Sequence, residues 1–227
     1  MKNKPFAFRF LLLSCILFLL LTTIGMLFFP GGTLLDKTTK GYSFFNNFFS
    51  ELGRWRSFQG GTQWVSFSTF TIAMLLQSAA IFVFNLQFLK YTNSATLNKY
   101  AHWTALISGS VFPFLLAGIG LTPCDLVLSK HMFCVRVGFG LMLPLSIAYT
   151  ILIRQHHLLP NRYGNVMFLI VIAIALYLLI IFFGPNPREV GYVQQTSQKI
   201  IVYTMIGALL YLSLGCLKYL QEQPTRR

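Results

Sequence analysis

The chain has 227 residues, of which 55% are hydrophobic, 16% are aromatic and only 10% are charged. Soluble domains carry about 25% charged residues, so this composition, with a mean hydropathy of +0.64, excludes a water-soluble fold. The formal charge of +13 comes from 18 Lys and Arg residues against 5 acidic residues, and the basic residues flank apolar segments. That distribution is typical of membrane helices and argues against a nucleic-acid partner.

Six apolar segments are long enough to cross a bilayer, which takes roughly 20 residues. The first is predicted to be a retained helix, because the residues that follow it, Phe28 to Gly32, lack the small-x-small pattern of a signal-peptide cleavage site. The sequence predicts an all-α, polytopic membrane protein with a single six-helix transmembrane domain over residues 1–227, its helices at about 10–29, 62–87, 101–122, 132–153, 165–184 and 198–219.

The distribution of Lys and Arg predicts the orientation of these helices. If the N-terminus is inside, the cytoplasmic segments hold 10 of the 18 basic residues and the outer segments hold 8. We therefore predict a multi-pass protein of the cell membrane with both termini in the cytoplasm.

The first outer loop is too apolar to be a simple connection. Its large apolar residues recur at i, i+3, i+4, i+7 and i+10, the spacing of one helix face: Phe45, Phe48, Phe49, Leu52 and Trp55. This pattern predicts an interfacial helix with its aromatic rings at the acyl boundary. The helix either anchors the loop or forms a lid over an outer site, where the Glu51 carboxylate needs a partner or a raised pKa.

Ionisable residues at a membrane edge are candidates for function. Asp125 follows the third helix and His131 opens the fourth, so the two are expected to face each other across the turn. With Glu51 from the lid, they can bind a metal or act as an acid–base pair on a lipid headgroup. One outer histidine is few for zinc, so no metal and no cofactor is predicted.

Two other interpretations of the outer polar residues remain open. In one, a basic pocket centred on Arg136 holds the phosphate of a lipid headgroup without chemistry, helped by Arg54, Arg188 and Lys199. In the other, acidic and basic residues pair only to fasten the helix ends. Cys124 and Cys134 bracket the same turn and form a candidate disulfide if that side is oxidising.

Two amides lie inside the second predicted helix, Gln77 and Asn85. Polar side chains within a bilayer find partners on neighbouring helices. We therefore expect hydrogen bonds from both amides to other helices.

Three motifs carry a family resemblance: the segment 49–53 (FSELG), the segment 122–125 (TPCD) with His131 after it, and the polar stretch 188–198 before the last helix. The chain resembles the bacterial membrane family called domain of unknown function 998, and more distantly the Frag/DRAM/Sfk-type proteins. The resemblance implies a six-helix layout, a lipid-facing role and a bacterial inner membrane, and it marks as motif positions Ser50, Glu51, Gly53, Pro123, Asp125 and His131.

The sequence therefore predicts an integral membrane protein that interacts with membrane lipids through a polar site facing the outer leaflet. The alternative is a membrane-embedded lipid hydrolase or transferase that uses Glu51, Asp125 and His131. A small transporter is the third possibility: Pro113 and Pro144 suit a moving bundle, although no charged residue lies at mid-bilayer to couple an ion.

Overall fold

The computed structural model describes residues 5–92, 98–156 and 159–222. Over these residues the chain forms six α-helices, and all six are long and apolar enough to span a membrane. They are α1 (Phe6–Leu27), α2 (Trp64–Tyr91), α3 (Lys99–Leu121), α4 (Leu128–His156), α5 (Asn161–Phe183) and α6 (Val193–Glu222). The predicted all-α fold is confirmed, with six helices that are long and apolar enough to span a membrane, and each helix begins within about five residues of its predicted start.

The six helices form a closed ring. Each helix packs against the next one along the chain, and α6 returns to pack against α1. In the described part of the chain, no two helices make close backbone contact across the ring. The outer surface exposes many large apolar side chains, among them Leu20, Phe114, Leu169 and Phe182. An apolar surface of this extent suits lipid tails far better than water.

Small residues and buried amides bring the helices together. A Cβ atom on Gly118 of α3 would lie 2.6 Å from the Cys134 sulfur of α4, so these helices meet at van der Waals distance only because Gly118 has no side chain. Gln77 accepts a hydrogen bond from the Ser14 hydroxyl of α1 at 3.1 Å. Asn85 accepts one from the Tyr149 hydroxyl of α4 at 2.8 Å. The predicted interhelical role of both amides is confirmed.

The first loop differs from its prediction. In place of an eleven-residue helix, the structure has one short 3₁₀ helix, Phe49–Gly53, and all five of its residues are buried. Phe45 is exposed, whereas Trp55 packs edge-on against Phe67 of α2, with 5.3 Å between ring centroids. The periodic apolar residues thus contact different surroundings and do not share one helix face.

This 3₁₀ helix, which we call the inserted segment, enters one end of the ring and contacts α1, α2, α3 and α6. That end, where α1, α3 and α5 finish, is called the Glu51 end below. The Phe49 ring lies between aromatic rings of three helices, with centroid distances of 5.8 Å to Phe18, 5.8 Å to Phe70 and 5.9 Å to Tyr203. Burying an aromatic side chain in this way is worth about 1.5–3 kcal/mol, so the insertion is driven by apolar contact.

Gly53 is required where the inserted segment meets α2. A Cβ atom on Gly53 would lie 2.6 Å from a ring carbon of the buried Phe70. Gly53→Ala is therefore expected to lower the free energy of unfolding by about 1–3 kcal/mol, the usual cost of overpacking. Gly61→Ala is the matched control, because a Cβ on Gly61 meets no atom within 4 Å. Denaturant unfolding in detergent measures both, and equal stability of the two variants would contradict the insertion.

Candidate functional site

A cavity of about 420 Å³ lies at the Glu51 end, between the inserted segment, α4, α5 and the start of α6. Three arginines line it, Arg54, Arg136 and Arg188, and we call it the arginine cavity. Its wall also includes Glu51, His131 and Gln198. Six predicted site residues from three separate stretches of sequence therefore meet at one space: Glu51, Arg54, Cys124, His131, Arg136 and Arg188.

The Glu51 side chain is only 4% exposed and is held by its own loop. One carboxylate oxygen accepts a hydrogen bond from the Asn47 amide at 2.6 Å and another from the Phe48 backbone N–H at 3.1 Å. Burial raises the pKa of Glu51 to about 7, although these hydrogen bonds and the charges of Arg54 and Lys199 act in the opposite direction. Glu51 can therefore hold or release a proton near neutral pH.

Lys199 does not line the arginine cavity. Its side chain is 1% exposed, and its ammonium donates to the backbone carbonyls of Asn47 and Gln195, the latter at 3.0 Å. The rings of Tyr42 and Phe44 lie 5.6 and 5.3 Å from the nitrogen. Lys199 was predicted as a headgroup ligand. It instead fastens the first loop to α6, because its ammonium donates to one carbonyl of the loop and to one carbonyl of its own helix.

The carboxylate of Asp125 is also used in hydrogen bonds outside the arginine cavity. Its two carboxylate oxygens accept hydrogen bonds from the backbone N–H groups of Trp55 and Arg56, each at 2.9 Å. Asp125 thereby ties the first loop to the turn between α3 and α4. It does not line the arginine cavity, so the predicted group of Glu51, Asp125 and His131 is not assembled around that space.

His131 lies in the wall of the arginine cavity, and its side chain is buried, with 2% of its surface exposed. Its Nδ1 lies 2.7 Å from the carbonyl oxygen of Thr122 and must donate to it, because a carbonyl can only accept. In the neutral ring the lone pair is then on Nε2. This nitrogen is buried and has no hydrogen-bond partner in the described part of the protein.

The three arginine side chains differ in the contacts that they make with the rest of the protein. Arg54 donates to the Arg56 carbonyl at 3.0 Å and stacks on the Phe58 ring at 3.9 Å. Arg136 and Arg188 are exposed, and neither side chain makes a hydrogen bond, ion pair or ring contact with any described residue. The described structure therefore lacks the acid–arginine pairing at these positions that a purely structural network requires.

Cys124 and Cys134 are separate free thiols, so the candidate disulfide is not formed in the structure. The sulfur of Cys134 packs against Gly118, while the Cys124 side chain lines the arginine cavity. Burial raises the pKa of the Cys124 thiol to about 11, which keeps it protonated at neutral pH. Among the described residues, no group of three His, Cys, Asp or Glu side chains is placed to hold a metal ion.

Two cavity residues were not predicted as site residues from the residue pattern. Gln198 accepts a hydrogen bond from the backbone N–H of Phe49 at 2.8 Å and so joins α6 to the inserted segment. Ser50 lies beside Glu51 on the same segment and faces the cavity. The motif resemblance marked Ser50 and ended its polar stretch at Gln198, but it gave the amide no role, since its partner Phe49 lies 149 residues away.

No family model, curated protein or solved structure matches the chain. The resemblance to the domain of unknown function 998 therefore stays a prediction, and the interpretation of the site depends on its geometry.

The raised pKa of Glu51 predicts a pH-dependent stability. Between its ordinary value of 4.5 and about 7, the folded protein keeps a proton that the unfolded chain has lost, so stability falls as the pH rises through this range. Glu51→Gln keeps an oxygen for Asn47 and Phe48 and removes the ionisation. The variant should exceed the wild type by about 1–3 kcal/mol at pH 8 and lose this advantage at pH 4.5.

Unfolding in detergent at the two pH values measures the effect. Glu189→Gln is the control, because Glu189 is an exposed acid bonded to Asn186. A wild-type stability that rises between pH 4.5 and pH 8, by an amount that Glu51→Gln removes, would contradict the assignment.

Proposed function

We propose that this protein is a multi-pass membrane protein that binds the anionic headgroup of a lipid in the arginine cavity. The observation that carries the proposal is the meeting of three guanidinium groups at one open space, two of them without a partner among the described residues. Guanidinium groups bind phosphate through paired, charge-assisted hydrogen bonds. A phosphate would supply the charge that Arg136 and Arg188 do not find within the protein.

The depth of Arg136 suits this ligand. α4 has 29 residues and a length of about 43 Å, which exceeds the roughly 30 Å of a bilayer's hydrocarbon core. Arg136 is about 12 Å from the start of the helix at 1.5 Å per residue. A centred α4 would thus have Arg136 just inside the hydrocarbon boundary, from which a long basic side chain extends to the lipid phosphates.

The Glu51 end is proposed to face outward, in a cell membrane, with both termini in the cytoplasm. The excess of Lys and Arg on the opposite side of the ring supports this orientation. The exposed Phe44 and Phe45 of the first loop would then lie at the outer membrane interface, where aromatic rings are favoured. Labelling of the Ser129→Cys variant by an impermeant maleimide in intact cells, above the labelling of the wild type with its free Cys124 and Cys134, supports this orientation. No labelling above the wild type contradicts it.

Removing the Arg136 charge should weaken lipid binding. We expect Arg136→Gln to raise the dissociation constant for phosphatidylglycerol about tenfold or more, since a hydrogen bond to a charged group is worth about 1.5–3 kcal/mol. Native mass spectrometry of the purified protein measures the bound fraction. Arg56→Gln is the matched control, because Arg56 is exposed at the same end and does not line the cavity. Equal loss in both variants, or no loss in either, would remove the proposal.

A second candidate function, a lipid hydrolase or transferase, is favoured by one observation. The Nε2 of His131 carries a lone pair, is buried in the wall of the arginine cavity and accepts no hydrogen bond from the described residues. This nitrogen is closed to solvent in the structure, so it can take a proton from a water or hydroxyl group beside a bound headgroup only when the cavity wall opens. Glu51 can act as the acid of such a pair, whereas Asp125 is committed to the loop.

The second candidate predicts that His131→Ala abolishes lipid turnover while the protein still binds phosphatidylglycerol. Mass spectrometry of the lipid after incubation with purified protein detects the products. His102→Ala, at the opposite end of the ring, should leave turnover unchanged. Products that form equally with His131→Ala, or no products with the wild type, would leave the binding function alone.

A further inference from the structure

Two small cavities lie inside the helix ring, beyond the arginine cavity. The first, the upper cavity, has a volume of about 40 Å³ and shares three wall residues with the arginine cavity, Ser50, Val135 and Gln198. The second, the lower cavity, is of similar size and shares Phe112, Met142 and Met205 with the upper one. The three spaces therefore adjoin one another along the inside of the ring, each separated from the next by a few side chains.

The walls of the two inner cavities suit a hydrocarbon chain. Apart from Ser50 and Gln198 at the top, the one polar side chain of the upper cavity is Gln77, whose amide already contacts Ser14 and Cys15 of α1. In the lower cavity, the Tyr149 hydroxyl is used by Asn85, and Ser146 is the one other polar side chain among the described wall residues. A water molecule needs two or more polar partners to occupy a buried space, and these walls offer few.

The walls can also widen. Met74, Met142 and Met205 face the upper cavity, and methionine is unbranched and flexible, so it adapts to what lies beside it. Gly138 of α4 lines the same cavity, and a Cβ there would have no atom closer than 3.6 Å. Gly138 is thus not a close-packing glycine of the kind found at Gly118, and its small size leaves room inside the ring.

We propose that the arginine cavity and the two apolar cavities hold a single amphiphilic ligand, with its anionic headgroup at the arginines and one acyl chain extending down the inside of the ring. This inference rests on the headgroup binding proposed above and adds the ligand class: a lipid whose chain is enclosed by the helices. Along α4 the path from Val135 to Tyr149 covers about 21 Å at 1.5 Å per residue. That length exceeds the depth of one leaflet, about half of a 30 Å hydrocarbon core.

The test uses n-alkyl phosphates from butyl to hexadecyl phosphate and native mass spectrometry. In the wild type, affinity should rise about fourfold per methylene until the path is filled. Val135→Phe replaces the valine side chain with a larger phenyl group at the point where the arginine cavity meets the upper cavity. Because Val135 also lines the arginine cavity, the test is the ratio: the variant should reduce hexadecyl phosphate binding at least tenfold more than butyl phosphate binding. Val135→Ala, the matched control, retains the wild-type dependence on chain length.

A second variant acts at the next junction. Met142→Phe narrows the passage between the upper and lower cavities, so affinity should stop rising at a shorter chain than in the wild type. The variant also keeps the proposal testable if Val135→Phe does not fold, which its thermal unfolding transition reveals.

The outcomes separate the two proposals. If folded Val135→Phe or Met142→Phe keeps the wild-type dependence on chain length, the chain lies outside the ring and the inference is overturned. The headgroup proposal then still stands, provided that Arg136→Gln weakens the binding of butyl phosphate. If Arg136→Gln changes the binding of no alkyl phosphate, both proposals are overturned together.

Discussion

Apolar contact drives the insertion of Phe49–Gly53 into one end of the helix ring, and hydrogen bonds centred on one buried acid, Glu51, hold the segment there. Glu51 is enclosed by its own loop, and Asn47 connects it to Lys199 of α6: the amide of Asn47 donates to Glu51, while its backbone carbonyl accepts from Lys199. Buried charges are tolerated only when they are paired and hydrogen-bonded. Asn47 thus brings the Glu51 carboxyl group and the Lys199 ammonium near each other without a direct contact. The same bonds fix the inserted segment, whose Phe49 ring packs among the aromatic rings of the core.

The closed ring explains why a cavity exists beside that segment. Six helices that each pack only against their two neighbours in the ring leave, among the described residues, an interior that side chains fill incompletely. The inserted segment fills part of the Glu51 end, towards α1, α2, α3 and α6, and leaves the side of α4 and α5 to the arginine cavity. Asp125 and Lys199 are both used to hold the loop. Among the described residues, the acidic and basic side chains that line the cavity are therefore the three arginines, His131 and Glu51.

Hydropathy alone predicted the six helices, because a chain that crosses a bilayer must satisfy its backbone hydrogen bonds within apolar segments. The first loop was not predictable in the same way. Its apolar spacing matched a helix face, but Phe49 and Leu52 are buried inside the ring while Phe45 is exposed. The roles of Asp125 and Lys199 were hidden for a related reason, since their partners lie 70 and 152 residues away. Residue type indicated that the outer ionisable groups matter, whereas only the fold distinguishes those that hold the loop from those that face the cavity.

A crystal structure grown from a lipidic mesophase doped with phosphatidylglycerol tests the central claim most directly. The account predicts density for a phosphate between Arg136 and Arg188, continuous with a chain that passes Val135 towards Met142. A bound phosphate with its chains on the outer face of α4 and α5 would confirm the headgroup site and contradict the enclosed chain. A cavity that holds only water, with Arg136 paired to an acid of the protein, would contradict the account as a whole.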